Sequence, residues 1–287
     1  MNQLVDIFPG GIYNFIFSMR NKFFVLFLFL LTVNQLFPQG NKILVSTNLG
    51  NMTFLLYDDT PKHRDAFIEL IEKGHFNGTL FYRVIQDFMI QGGSKDSRNA
   101  PPGKFIGYGD PTKTVDDEIL PHHFCKKGAL CAPRQPDDIN IFKQSDISQF
   151  FIIQGKKFTS GQLDTLEMAV NRPIRKKVIS KVYPPEVKAQ LDLLKAENRI
   201  EEAKQLAETI KEKIEVEYEL AEGKLIFSQD QREAYTTLGG SPEIDHEYTV
   251  FGEMLDGFDV IDKIAALKTD KNNRPLTDVV ITVKRIK

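Results

Sequence analysis

Phe81-Tyr82-Arg83-Val84-Ile85-Gln86-Asp87-Phe88-Met89-Ile90-Gln91-Gly92-Gly93 is the stretch on which the reading of this chain turns. It sets one guanidinium among aromatic and aliphatic side chains and places an amide eight positions later. Arg83 and Phe88 stand at an odd offset, so one unbroken strand would send them to opposite faces. A turn at Gln86-Asp87 folds the stretch into two strands, near 79–85 and 88–91, and can bring both side chains to one side. A charge with such neighbours needs a reason.

Working outward, Ile43–Thr47 and Met52–Tyr57 are β-rich runs joined by Asn48-Leu49-Gly50-Asn51, a hairpin signal. Thr60-Pro61 starts a helix through about Lys73, with Thr60 as its cap and Phe67, Leu70 and Ile71 as its apolar stripe. Further short strands are expected near 115–120, 128–132 and 149–153. Tyr248–Phe251, a short helix near Asp256–Ile264 and a last strand over Asp278–Ile286 complete the pattern. Many short strands separated by turn residues point to a mainly β barrel or sandwich.

The texture changes over residues 157–224. This segment carries 13 Lys/Arg and 13 Asp/Glu, and no Gly or Pro falls between Glu186 and Glu222. Ala203, Leu206, Ile210 and Ile214 recur at helical spacing, which predicts one long amphipathic helix after Pro184-Pro185. A shorter helix is expected from Thr159, where Gln162 completes a capping box, and another from Ser228 with Gln231 to Gly239-Gly240. The expected organisation is a β domain over 40–287, interrupted by a helical insertion at 157–224.

Residues 1–39 read as an address. Eight of the 22 Phe fall there, and the chain has no Trp. Met19-Arg20-Asn21-Lys22 precedes Phe23–Val33, an apolar run broken by Thr32 alone, as in a secretory signal peptide. The run is short of the roughly 20 residues of a membrane span. Residues 1–18 read as an upstream extension, and cleavage is expected near Gln39. A periplasmic or secreted protein with no stable membrane span follows. The two cysteines, Cys125 and Cys131, would be roughly 20 Å apart on an extended strand; unless a tight turn intervenes they are buried free thiols.

The net charge of −2 gives no field to recruit nucleic acid. The chain has no HExxH motif, paired CxxC, P-loop or Gly-x-Ser-x-Gly, so metal, phosphate and serine-nucleophile chemistry find no motif. His122-His123 read as loop neighbours and Asp116-Asp117-Glu118 as solvated acids.

Three segments, in order, resemble the cyclophilin family of peptidyl-prolyl isomerases: Phe81–Gly93, Ser148-Gln149-Phe150-Phe151-Ile152, and Val250-Phe251-Gly252, with Gly128-Ala129-Leu130 at a matching strand. The likeness covers about 42–156 and 225–287. It implies an eight-stranded antiparallel barrel capped by two helices, proline-containing polypeptide clients and no cofactor or metal. Arg83 matches the catalytic arginine and Gln91 the glutamine that orients it. Phe88, Met89, Phe151 and Ile244 match the proline pocket, with Gln149, Pro133, Arg134 and Tyr248 also at substrate-binding positions. The sequence departs from the pattern at Tyr82 and Tyr248, which replace histidines, and at Pro133-Arg134, which replace Ala-Asn. Glu243 falls near the tryptophan that binds cyclosporin in many members, so weak cyclosporin inhibition is expected. The rival expectation is a non-enzymatic chaperone or scaffold that binds proline segments and uses the insertion for partners. A third is that the insertion, which enters just after Phe151 and returns before Ile244, forms a lid.

Overall fold

The computed structural model of the chain describes residues 41–287; the expected signal segment and upstream extension lie outside them. Eight strands close an antiparallel barrel: β1 (Lys42–Thr47), β2 (Gly50–Leu56), β3 (Thr79–Ile85), β4 (Met89–Gly92), β6 (Ala129–Cys131), β8 (Phe150–Ile153), β9 (Val250–Asp256) and β10 (Val280–Ile286). Their order around the barrel is β1-β10-β3-β4-β8-β6-β9-β2. Two-residue strands β5 (Thr114–Val115) and β7 (Ser145–Asp146) pair with each other outside it. The strand expected near 115–120 is therefore only this stub, and the chain after it runs irregularly to the isolated bridge at Lys126.

Alternation along the strands separates two apolar regions. Ile90, Ile152, Leu130 and Val84 face the barrel interior, where they join Phe54, Phe81, Phe150 and Phe251. Helix α1 (Pro61–Glu72) adds Phe67, Leu70 and Ile71, and α6 (Phe258–Ala265) adds Val260, Ile261 and Ile264. These two helices cap the barrel. Met89, Cys131, Phe151, Ile153 and Val250 face the other way and form a second cluster on the outer wall.

The start of α1 corrects two expectations. The Thr60 side chain makes no capping hydrogen bond. Instead the Glu118 carboxylate accepts from the backbone N–H groups of Lys62 (3.0 Å) and His63 (2.9 Å), and lies 2.7 Å from His63 Nδ1. Glu118 is thus no solvated acid; it satisfies the open N–H groups of a helix 55 residues away in sequence and sits at the positive end of the helix dipole.

The insertion contains α2 (Ser160–Val182), α3 (Pro185–Ala196) and α4 (Ile200–Glu219), and α5 (Gln229–Thr237) returns to the barrel. Both expected capping boxes form, at Thr159/Gln162 and Ser228/Gln231. The helix from Thr159 is, at 23 residues, the longest among the described residues and carries Pro173 within it. The expected long helix is two helices, broken at Asn198, whose φ of 57° lies in the left-handed region. The break lets α3 fold back on α4, burying Leu191 and Leu194 against Ala203. Ion pairs Arg175–Glu215 and Lys181–Glu217 link α2 to α4. The ends of the insertion are tied where Lys156 and Gly240 exchange backbone hydrogen bonds of 3.1 and 3.0 Å. A Cβ on Gly155 would stand 2.4 Å from the Gly240 backbone, so the crossing requires glycine.

Replacing Glu118 by alanine leaves two helix N–H groups and the His63 ring without their acceptor; a loss of about 2–4 kcal/mol is expected by urea unfolding. Burial lowers the pKa of His63, and likewise that of His75. The unfolded chain therefore takes up protons near pH 6.5 that the folded chain refuses, so stability falls as pH drops below about 6.5. Asp245, whose carboxyl burial raises, works in the opposite sense. Melting temperatures recorded across pH 5–8 should fall on the acid side, with a shallower fall in His63→Gln.

Candidate functional site

The β3–β4 hairpin reverses at Gln86-Asp87, with Asp87 in the left-handed region at φ 61°. Its register sets Arg83 opposite Gln91 and Ile85 opposite Met89. On the next strands, Gln91 lies opposite Phe151, and Phe151 opposite Cys131. Directly opposed residues share a face, so Arg83, Gln91, Phe151 and Cys131 form one row across four strands on the outer wall. Met89 is fully buried beside them, and Phe88, Ile244 and Tyr248 pack on the same cluster. The structure thus brings together Arg83, Gln91, Phe88, Met89, Phe151, Ile244 and Tyr248. No residue of 157–224 belongs to this cluster.

The half-buried Arg83 donates from Nη1 to Gln91 Oε1 at 3.2 Å and lies 3.9 Å from Met89 Sδ. Gln91 is itself held. Its amide contacts the Tyr82 hydroxyl, which donates to Gln149 Oε1. Gln149 Nε2 donates in turn to Asp146 Oδ2 at 2.7 Å. A chain of polar contacts therefore runs from the Arg83 cation to the Asp146 carboxylate. It fixes which end of the Gln91 amide faces the arginine, because the arginine only donates and the carboxylate only accepts. Burial pushes the Tyr82 hydroxyl pKa far up, so it stays protonated as a donor.

In this chain Gln149 is buried, with the Tyr82 hydroxyl and the Asp146 carboxylate as its partners. Pro133 and Arg134 follow Cys131 beyond the end of β6. The Pro133 carbonyl accepts from Asp146 N–H at 2.8 Å. Arg134 donates to the Glu247 carbonyl and carboxylate, both at 2.7 Å, and lies 5.4 Å from the Tyr248 ring centre. Tyr248 meets Phe151 edge-on from the other side, at 5.2 Å. Arg134 thus holds the Tyr248 wall of the pocket.

Two further features had no sequence signal. Arg83 also lines a cleft of about 310 Å³, together with Lys104, Phe105, Gly107 and Asn272 as well as Tyr82 and Gln91. Its rim depends on Gly107, where a Cβ would stand 2.3 Å from the Tyr82 ring and φ is +95°. The other feature is the support of Ile244. The neighbouring Asp245 accepts from Tyr235 Oη (2.6 Å), Gln231 Nε2 (3.2 Å) and Cys125 N–H (2.8 Å). Helix α5 at the foot of the insertion thereby braces the pocket edge. A surface depression between Leu166, Val170 and Glu243–Glu247 separates α2 from that edge.

With this geometry described, comparison with known proteins is informative. The profile of cyclophilin type peptidyl-prolyl cis-trans isomerases matches residues 42–170 and 228–285. The chain belongs to the cyclophilin family. Residues 171–227, most of the insertion, fall between the two matched blocks. The cyclophilin chain is 28% identical over 241 residues to a protein of Staphylococcus saprophyticus named as a peptidyl-prolyl cis-trans isomerase, covering 84% of this chain and 88% of the relative. A protein of the same name from Staphylococcus aureus (strain USA300) is 28% identical over 251 residues, 87% of this chain and 93% of that one. Among solved structures, a cyclophilin type isomerase of Cryptosporidium parvum, crystallised with the dipeptide Ala-Pro, matches at 18% identity and a TM-score of 0.47, covering 86% of this chain and 99% of that one.

The thiols correct the spacing estimate. The turn at Gly128, φ +84°, folds the chain back so that both cysteines enter the outer-wall cluster, unbonded. Contact with Cys131, together with burial, pushes the Cys125 thiol well above its ordinary pKa. A thiol reagent at pH 8 should label neither cysteine until denaturant is added. Removing the hydroxyl in Tyr82→Phe leaves the buried Gln149 amide short of a donor and the Gln91 amide free to rotate. Unfolding should cost about 1–3 kcal/mol less, and peptide-isomerisation kcat/KM should fall about 3–10-fold, an effect of up to roughly 1.4 kcal/mol.

Proposed function

We propose that this cyclophilin accelerates rotation about Xaa–Pro peptide bonds in polypeptides, with Arg83 as the catalytic residue. The observation that carries the assignment to Arg83 is its place: a fixed guanidinium, oriented by Gln91, at the border of an apolar pocket of Phe88, Met89, Phe151 and Ile244.

The chemistry follows from the amide. Resonance keeps the Xaa–Pro bond planar behind a barrier of about 18–20 kcal/mol, and uncatalysed isomerisation takes tens of seconds or more. In the twisted transition state the prolyl nitrogen regains its lone pair. The apolar pocket takes the proline ring; the Arg83 N–H groups point a permanent donor at that nitrogen. Gln91 has an amide N–H left for the substrate carbonyl. No proton is transferred and no covalent bond forms. The site favours the twisted amide over both planar forms, which is catalysis by preorganised electrostatics. One charge-assisted hydrogen bond, ~2–3 kcal/mol, corresponds to about a hundredfold. The pocket's grip on the ring supplies the remainder.

The apolar run Phe23–Val33 behind Arg20 and Lys22 supports export, and with it clients that are themselves secreted or periplasmic. Among the described residues no helix is long and apolar enough to cross a membrane.

The test is a protease-coupled assay on an Xaa-Pro peptide. Arg83→Ala should lower kcat/KM about a hundredfold without a matching loss of stability, since within the fold the half-buried Arg83 side chain donates to Gln91 at 3.2 Å and to the Met89 sulfur at 3.9 Å and forms no buried ion pair among the described residues. Equal, near-background rates in wild type and variant would leave a barrel that binds proline segments without turning them over.

A further inference from the structure

Outside the isomerase pocket, three side chains converge that no motif connects. Asp59 follows β2, and His122 and His123 lie on the irregular run before Cys125. His122 Nε2 is 2.8 Å from Asp59 Oδ2, and His123 Nε2 is 2.8 Å from Asp59 Oδ1. Two adjacent histidines thus turn the same ring nitrogen to the two oxygens of one carboxylate. All three ligand atoms lie within 4.8 Å of one another. His123 is held in place, with its ring stacked on Tyr57 at 3.8 Å and 10°. Its side chain is 13% exposed, whereas His122 is 63% and Asp59 47% exposed. The cluster therefore has one rigid, sheltered ligand and an open side to solvent.

We propose that Asp59, His122 and His123 form a site for a divalent transition metal, with Zn²⁺ the ion that its donors fit. Two imidazole nitrogens and one carboxylate oxygen are the donors of three-ligand zinc sites, whose fourth position is left to water. Zinc–ligand bonds of about 2.0–2.1 Å put tetrahedral ligand atoms about 3.3 Å apart. The present spacings reach that with small side-chain rotations. Hard, oxygen-seeking Mg²⁺ and Ca²⁺ have one carboxylate here and prefer several oxygens, so they do not fit. Without metal the carboxylate can only accept, so each Nε2 carries its hydrogen and the three groups form a hydrogen-bonded clasp. On binding, each neutral ring moves that hydrogen to Nδ1 and presents the Nε2 lone pair, with no net proton lost. The bound ion would tie the approach to α1 to the segment that leads into Cys125, whose N–H holds Asp245 at the pocket edge.

The test is calorimetric titration of the tag-free full chain with Zn²⁺, with Mg²⁺ as a parallel probe. One Zn²⁺ per chain and no Mg²⁺ binding are expected, with a Zn²⁺-dependent rise in melting temperature. His122→Gln keeps an N–H donor for Asp59 but removes the ligand; its affinity for Zn²⁺ should drop at least ~10-fold. Its isomerase rate, because the cluster lies outside the Arg83 pocket, should match wild type and so report an intact fold. Asp59→Asn should weaken Zn²⁺ binding in the same way. Absence of saturable binding in wild type, or wild-type affinity in both variants, would overturn the proposal and leave a hydrogen-bonded clasp alone.

Discussion

The pairing register of β3 with β4 is the constraint on which the rest of this molecule depends. With Arg83 opposite Gln91, the odd-numbered residues of β4 and their partners on β8 and β6 all face outward, and Ile90, Ile152 and Leu130 face the barrel core. A slip of one residue would drive the guanidinium into the interior and leave Ile90 in solvent, a reversal that the buried face does not allow. Closure of the barrel leaves the sheet no edge. The position of Arg83 is therefore fixed by the packing of the whole core behind it.

Function is layered on this frame in a consistent order. The outer wall gives the apolar surface, the polar chain from Asp146 through Gln149 and Tyr82 orients Gln91, and Gln91 orients Arg83. Helix α5, which follows the insertion, adds support from the side: it holds Asp245 through Tyr235 and so fixes the turn that carries Ile244. None of the insertion's residues 157–224 joins the pocket cluster. That arrangement gives no direct support to a lid.

Legibility in the sequence followed the range of the interactions. The hairpin and the capping boxes at Thr159 and Ser228 were readable because turn chemistry and capping act over a few residues. The family resemblance placed the pocket residues without showing how they are supported. Where the reading failed, the deciding partner was remote or the break was small. Glu118 replaces Thr60 as the cap of α1 from 55 residues away. The stop at Asn198 is one residue in a segment of strong helix formers, and it is chosen because folding back buries Leu191 and Leu194.

The sequence by itself determined the mainly β class, because alternation and turn residues are local patterns, and its resemblance to the cyclophilins pointed to Arg83 and to the residues of the apolar pocket. Only the tertiary structure decided that Gln149 and Arg134 position other residues. The same holds for His122 and His123, which share the carboxylate of Asp59. Each of these rests on a contact between segments far apart in the chain. Such contacts are set by closure of the barrel and its strand register, and no spacing in the sequence records them.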